Sequence, residues 1–238
     1  MDKDKHIRSI LPIPDVRKPQ HTAYDAKDPE SQFPPIEPVV PPAGAPNVLV
    51  ILLDDVGFGS SSAFGGPCET PVAEKLAANG LKFTRFHTCA LCSPTRQAML
   101  TGRNPHSVGM GAIPELATAP PGYNSLRPNT KAPLPLTLKL NGYSTAQFGK
   151  CHEVPAWQTS PMGPFDAWPA GGGGFEYFYG FIGGETSQYE PALYEGLTPI
   201  EPPATAEEGY HLTEDMTDRA IGWVHQQKAL MPEKPFFV

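Results

Sequence analysis

The chain has 238 residues and a mass of 25.7 kDa. Its 18 basic and 25 acidic side chains give a net charge of −7 and a pI near 5.5, and no stretch is strongly basic, which argues against a nucleic-acid partner. Mean hydropathy is −0.30 and the longest apolar run, Val48 to Leu53, is about a third of a membrane span, so no membrane-spanning helix is expected; four cysteines do not make a disulfide scaffold.

The length suits one large domain or two small ones. The first 30 residues have no apolar core of a secretory signal, which points to the cytoplasm. Thirty prolines and 23 glycines imply many turns and irregular connections. Ten of the prolines fall between Pro12 and Pro46, so residues 1–45 read as a Pro-rich N-terminal arm, extended or lying along a surface.

Order begins at Asn47. The run Val48-Leu49-Val50-Ile51-Leu52-Leu53 has the pattern of a buried central strand. It ends in Asp54-Asp55-Val56-Gly57-Phe58-Gly59, acidic residues and glycines at the strand end where open α/β sheets bind ligands. Thr70-Pro71 predicts a helix over 72–78, stopped by Asn79-Gly80. Leu81 to Phe86 reads as a strand. Pro94 opens a helix to about Leu100, stopped at Gly102, and Pro135 opens another to Leu140, before Asn141-Gly142. Tyr143 to Phe148 reads as a strand. Residues 153–209 are too dense in Gly, Pro and aromatics for regular structure to be assigned, beyond a flexible or tightly turned link at Gly171 to Gly174. Thr213 to Leu230 has a Thr cap, an acidic first turn and apolar Met216, Ala220 and Trp223 on one side. Pro235-Phe236-Phe237-Val238 resembles a strand just starting, the pattern expected of a fragment. Alternating strands and helices predict an α/β fold with a mostly parallel sheet flanked by helices.

Chemistry concentrates at Cys92-Ser93-Pro94-Thr95-Arg96. A cysteine at a helix N-terminus with an arginine one turn on can hold an anion, such as a sulfate or phosphate group. The same thiol also reads as an ordinary buried cysteine, or, through Cys89-Ala90-Leu91-Cys92, as half of a redox or metal-binding pair. No second pair follows at zinc spacing. Asp54 and Asp55 read equally as metal ligands or as turn and cap residues. Lys150 and His152 taken alone read as a surface lysine and a structural histidine.

Cys92-Ser93-Pro94-Thr95-Arg96 followed by Thr101-Gly102-Arg103 resembles the sulfatase signature. The residues from Asn47 to Gly59 resemble that family's first strand and metal loop. Phe148-Gly149-Lys150-Cys151-His152 resembles its G-K-x-H element, and Phe178-Tyr179-Gly180-Phe181 with Gly183-Gly184-Glu185-Thr186 resembles a segment of bacterial arylsulfatases. The resemblance covers residues 46–238, as the N-terminal part of a catalytic domain of the alkaline-phosphatase-like superfamily, with the domain incomplete.

The resemblance implies hydrolysis of a sulfate ester, aryl sulfate and water giving a phenol and sulfate. Cys92 would be converted by a formylglycine-generating maturation enzyme to formylglycine, whose hydrate is the nucleophile. Asp54, Asp55 and the modified Cys92 would bind a divalent cation, Ca²⁺ or alternatively Mg²⁺ or another ion. Arg96 would brace the hydrate, Lys150 would bridge it to the sulfate oxygens, and His152 would be the base. The family's further histidine, metal pair and second lysine have no counterpart before Val238. The alternatives are a phosphonate or phosphate ester hydrolase of the same superfamily, an inactive fragment, and a thiol module using Cys89 and Cys92.

Other residues carry plainer readings. His211, Asp215 and Asp218 belong to the last helix and its flank. Trp157, Trp168 and Trp223 are packing residues. The cluster Phe175, Tyr177, Phe178, Tyr179 and Phe181 either borders an aryl pocket or is ordinary core. Gly171 to Gly174 lacks the spacing of a nucleotide-binding loop.

Overall fold

The computed structural model describes residues 7–14, 21 and 23–238. Proline and glycine punctuation places most helices where the sequence puts them. Helix α1 (Pro71–Asn79) follows Thr70, with Pro71 in its first turn. Helix α2 (Cys92–Thr101) closes on Gly102, whose φ of 63° lets its N–H reach Ala98 O, a geometry glycine adopts without strain. Helix α3 (Leu134–Leu140) ends at Asn141. Helix α4 (Leu212–Leu230) is capped by His211, whose ring accepts the Thr213 N–H. The expected Thr213 cap is therefore displaced by two residues, because imidazole can fill the role assigned to a hydroxyl.

The strands are β1 (Ser144–Cys151), β2 (Tyr177–Ile182), β3 (Leu193–Glu195), β4 (Thr198–Ile200) and β5 (Phe236–Phe237). They form one sheet in the order β4-β3-β2-β1-β5. β1 runs parallel to β2 and β5, while β3 and β4 extend the sheet antiparallel. The fold is thus α/β with a parallel centre and an antiparallel hairpin at one edge. No helix among the described residues is long and apolar enough to cross a membrane.

The core is built by alternation along β2. Tyr179 and Phe181, with Tyr177 beside them, pack with Leu212 and Met216 of α4. Phe178 and Ile182 point to the other cluster, with Cys151, Val154 and fully buried Trp168. Trp168 donates its indole N–H to Gln158 O at 2.7 Å, which satisfies the one polar group it buries. A third cluster joins Tyr143, Phe175 and Phe237 to Leu100 and Leu138 on α2 and α3. The arm touches the domain near the end of α3, where Arg8 donates to Asn141 Oδ1, while its bond to Val40 O stays within the arm.

Four expectations are corrected. The run 48–53 is not a buried central strand. It pairs on one side only, through Val48 with Phe236 and Val238 and through Val50 with Val238, and Leu49, Ile51 and Leu53 are exposed; among the described residues nothing packs over them. Leu81 to Phe86 forms no strand and is exposed, since among the described residues no sheet edge pairs with it. The segment 153–209 holds three strands, β2 to β4, and Gly171 to Gly174 is a tight turn closed by hydrogen bonds to Phe165 O, Trp168 O and Gly171 O. Trp157, expected to pack, is 58% exposed.

Candidate active site

The C-terminal end of β1 and the first turn of α2 meet at one place. Pairing of β1 with β2 runs through Lys150 and Cys151, which fixes the backbone that carries Lys150 and His152. Helix α2 presents Cys92 at its first position and Arg96 one turn later. Cys92 Sγ lies 2.9 Å from His152 Nδ1. On the far side of the ring, His152 Nε2 lies 3.0 and 2.9 Å from the two carboxylate oxygens of Glu115. His152 itself is 3% exposed.

A second group forms around Asp54. Lys150 Nζ donates to Asp54 Oδ2 at 2.6 Å and Arg96 Nη2 to Asp54 Oδ1 at 3.3 Å. Arg96 also donates through Nη1 to Lys150 O, which Gln147 Nε2 shares. Arg96 therefore ties the two groups together, being one helical turn from Cys92 and bonded to Asp54. Burial raises the Asp54 carboxyl, but the Lys150 hydrogen bond and the charges of Lys150 and Arg96 outweigh it and hold it below its ordinary value. Asp54 is thus a carboxylate between two cations, and its side chain is 37% exposed.

Of the residues singled out in the sequence, the structure brings Cys92 to His152, and Asp54 to Arg96 and Lys150. It does not gather the ligand atoms of Asp54, Asp55 and Cys92 into one group. Asp55 is exposed, with φ of 52°. Among the described residues, the one set of three His, Cys, Asp or Glu side chains with ligand atoms within 4.8 Å of one another is His21, Asp28 and Glu30, on the arm. The Cys92 thiol points to His152 rather than to Cys89, and all four cysteines are free.

Cys151, between the lysine and the histidine, turns the opposite way. Its thiol donates to buried Glu153 at 3.0 Å, and burial, then Glu153, pushes it well above its ordinary value. A groove of about 840 Å³ opens from Asp54, Arg96 and Lys150 between the 49–53 run, β1 and α4. Phe175 and Phe181 reach it, whereas Phe178 and Tyr179 are fully buried. Most of the aromatic cluster is therefore core.

Two side-chain arrangements had no signal in the sequence. Glu115 lies 37 residues before His152 in a single 3-10 turn, Pro114–Leu116, and no spacing rule joins them. Asp215, read as part of an acidic first turn, accepts hydrogen bonds from Tyr179 at 2.6 Å and Tyr210 at 2.9 Å.

The arrangement can take a proton from position 92 through His152, and it sets Arg96 one helical turn from that position, on the same carboxylate, Asp54, as Lys150. Residues 46–238 match the family model for sulfatases. The chain is 36% identical over 161 residues to an uncharacterized sulfatase of Schizosaccharomyces pombe, covering 63% of this chain and 29% of that one. It is 35% identical over 176 residues to arylsulfatase A of Bos taurus, covering 70% of this chain and 30% of the relative. Among solved structures, PsFucS1 sulfatase from Pseudoalteromonas sp. aligns with a TM-score of 0.59 at 24% identity, covering 81% of this chain and 42% of that one. A further structure, solved with its substrate D-glucosamine-2-N,6-O-disulfate, aligns with a TM-score of 0.59 at 24% identity over 81% of this chain and 33% of that one. The chain spans about 30% of the length of the curated relatives it matches.

Proposed function

Because this chain belongs to the sulfatase family, we propose that it supplies the nucleophile-bearing part of a sulfuric ester hydrolase acting on a small sulfate ester, in the simplest case an aryl sulfate. The observation that carries the reading is the 2.9 Å approach of Cys92 to His152, one helical turn from Arg96.

An unmodified thiol is a poor choice for this chemistry, because the sulfated thiol has no second hydroxyl to expel sulfate. Conversion of Cys92 by a formylglycine-generating enzyme would replace sulfur with an aldehyde hydrate at the same position. His152 Nδ1, already within hydrogen-bond distance of that position, takes the hydroxyl proton. Arg96 and Lys150 set positive charge where the sulfuryl oxygens gain negative charge. The deprotonated hydroxyl oxygen bonds to sulfur as the bond from sulfur to the ester oxygen breaks, and the alcohol leaves with a proton that balances the one taken by His152. Loss of the second hydroxyl's proton then forms the aldehyde C=O and breaks the bond from carbon to the sulfate oxygen, which releases sulfate, and water adds to the aldehyde to restore the hydrate. One water is consumed in each cycle.

The donors here fit a hard divalent cation in part. Asp54 and Asp55 are adjacent carboxylates, and oxygen ligands of this kind suit Ca²⁺ or Mg²⁺; the Cys92 sulfur does not, whereas an oxygen-bearing side chain at 92 would. Asp54 and Asp55 would hold such an ion, which when bound supplies Lewis-acid charge beside the sulfuryl group. With both Asp54 oxygens on Lys150 and Arg96, the ion and Lys150 would compete for one carboxylate.

The test uses the full-length protein coexpressed with a formylglycine-generating enzyme. The tryptic peptide from Phe86 to Arg96 should lose the mass difference between SH₂ and O. Paired assays should show turnover of an aryl sulfate exceeding that of the matching aryl phosphonate, with loss in chelator. An unmodified peptide, or a phosphonate preference, would overturn the assignment.

A further inference from the structure

We propose that Glu115 is a positioning residue that acts through His152 on the group at position 92. This deepens the functional reading above and rests on its assignment of Cys92 and His152. A carboxylate offers only acceptors. With both Glu115 oxygens within 3.0 Å of His152 Nε2, that nitrogen must carry the hydrogen. A neutral imidazole has one N–H, so Nδ1 is left as a bare lone pair, and it faces Cys92 at 2.9 Å. Glu115 thereby selects the tautomer in which His152 can accept a proton from residue 92. This is the nucleophile, base and orienting group arrangement of activated nucleophiles in general.

The surroundings hold this geometry in place. Glu115 sits in the 3-10 turn Pro114–Leu116, closed by Leu116 N to Ile113 O and Ala117 N to Pro114 O. The loop around it is cross-tied by Gly111 N to Gly122 O at 2.7 Å and Thr118 N to Tyr123 O at 2.9 Å. Gly184 packs on the ring so closely that a β-carbon there would stand 3.0 Å from His152 Cε1. The ring is therefore pinned at both nitrogens and over one side. With the imidazole neutral the contact is a hydrogen bond to a carboxylate and not an ion pair, and the Glu115 side chain is 49% exposed. Its value lies in orientation.

The readout that separates positioning from turnover is the reactivity of the unconverted thiol. Full-length protein made without a maturation enzyme, in a Cys89→Ser background, is labelled with iodoacetamide, and the Phe86 to Arg96 peptide is quantified over time. Cys151, 2% exposed, serves as a fold control and should stay unlabelled. Glu115→Ala should slow Cys92 labelling about 10-fold or more, by analogy with the outer partners of metal-ligating histidines, whose removal costs about 10- to 100-fold in affinity or activity. Glu115→Gln, which keeps the shape and one acceptor, should fall by less and remains informative should the alanine loosen the turn. In converted protein the same substitutions should lower kcat and leave KM near its wild-type value. Wild-type labelling rates in either variant, with Cys151 still protected, would overturn the proposal. Slowed labelling in a protein whose wild type never turns over an aryl sulfate would keep Glu115 in its role and remove the sulfatase reading instead.

Discussion

A β-carbon on Gly180 would stand 1.9 Å from the carbonyl oxygen of Gly149, its register partner across the β1–β2 pair. The two strands meet backbone to backbone at a glycine–glycine step, immediately before Lys150. Gly180→Ala should therefore wedge the strands apart and destabilise the protein by at least about 1–3 kcal/mol, the usual cost of overpacking. Its thermal midpoint reads this directly; a midpoint equal to wild type would show that the strands can separate freely.

Cys92 and Cys89 should behave differently despite sharing a C-x-x-C. Cys92→Ala in the full-length, matured protein should abolish aryl sulfate turnover while the thermal midpoint stays close to wild type. Cys89→Ser should leave turnover within about twofold. A large loss at Cys89 would restore the thiol-pair reading.

Asp215 joins α4 to β2 by accepting from Tyr179 and Tyr210, with Arg219 at 3.9 Å and stacked on the Tyr179 ring at 4.8 Å. Asp215→Ala leaves two tyrosine hydroxyls without their acceptor. A stability loss of about 2–4 kcal/mol is expected, since hydrogen bonds to charged groups contribute about 1.5–3 kcal/mol each and their losses in one network do not simply add. Urea denaturation would measure it, and a loss under 0.5 kcal/mol would mean the tyrosines are satisfied by water.

Tyr177 donates to Glu195 at 2.6 Å. Burial, then this bond and the Glu195 charge, push its hydroxyl from 10.0 up to about 12. The folded chain thus holds the proton more tightly than the unfolded chain. The resulting stability is whole below the ordinary value and is lost as pH rises through the folded one. Wild type should be more stable than Tyr177→Phe at pH 8, and the gap in urea midpoint should shrink from about pH 10 upward. A gap that widens with alkali would contradict the assignment of the donor.

Gly184→Ala should act on the ring it touches. The new methyl meets His152 Cε1 and Nε2 at 3.0 and 3.1 Å, tighter than ordinary contact, so the imidazole must tilt off Glu115 or Cys92. A fall in kcat of about tenfold or more is expected, because small displacements of a catalytic base are costly. A wild-type kcat would mean that the loop carrying residue 184 yields instead of the ring.

Much of the scaffold could be read from local chemistry. Pro71, Pro94 and Pro135 lie in the opening turns of α1, α2 and α3, and Gly80, Gly102 and Gly142 lie at or just past their ends, because proline and glycine act through their own backbone. The 92–103 and 148–152 motifs likewise lie where α2 and β1 converge. What could not be read depends on partners distant in the chain. Strands β2 to β4 lie among aromatics, Gly and Pro that local propensity reads as irregular, and each exists because a neighbour supplies an edge, β1 for β2, β2 for β3 and β3 for β4. The 48–53 run has the apolarity of a central strand, yet burial depends on what packs against it and not on its own composition. Glu115 shares no motif with His152; only folding brings them together.

The hydrogen bonds from Val48 to Phe236 and from Val238 back to Val48 have a temporal meaning. A ribosome adding about 5–20 residues per second needs on the order of 10–40 s to travel from codon 48 to codon 236. Throughout that interval the apolar stretch beginning at Val48 exists without its sheet neighbour. During synthesis it is therefore an unpaired apolar segment, and translation speed over the intervening codons becomes a variable in how much of this protein folds.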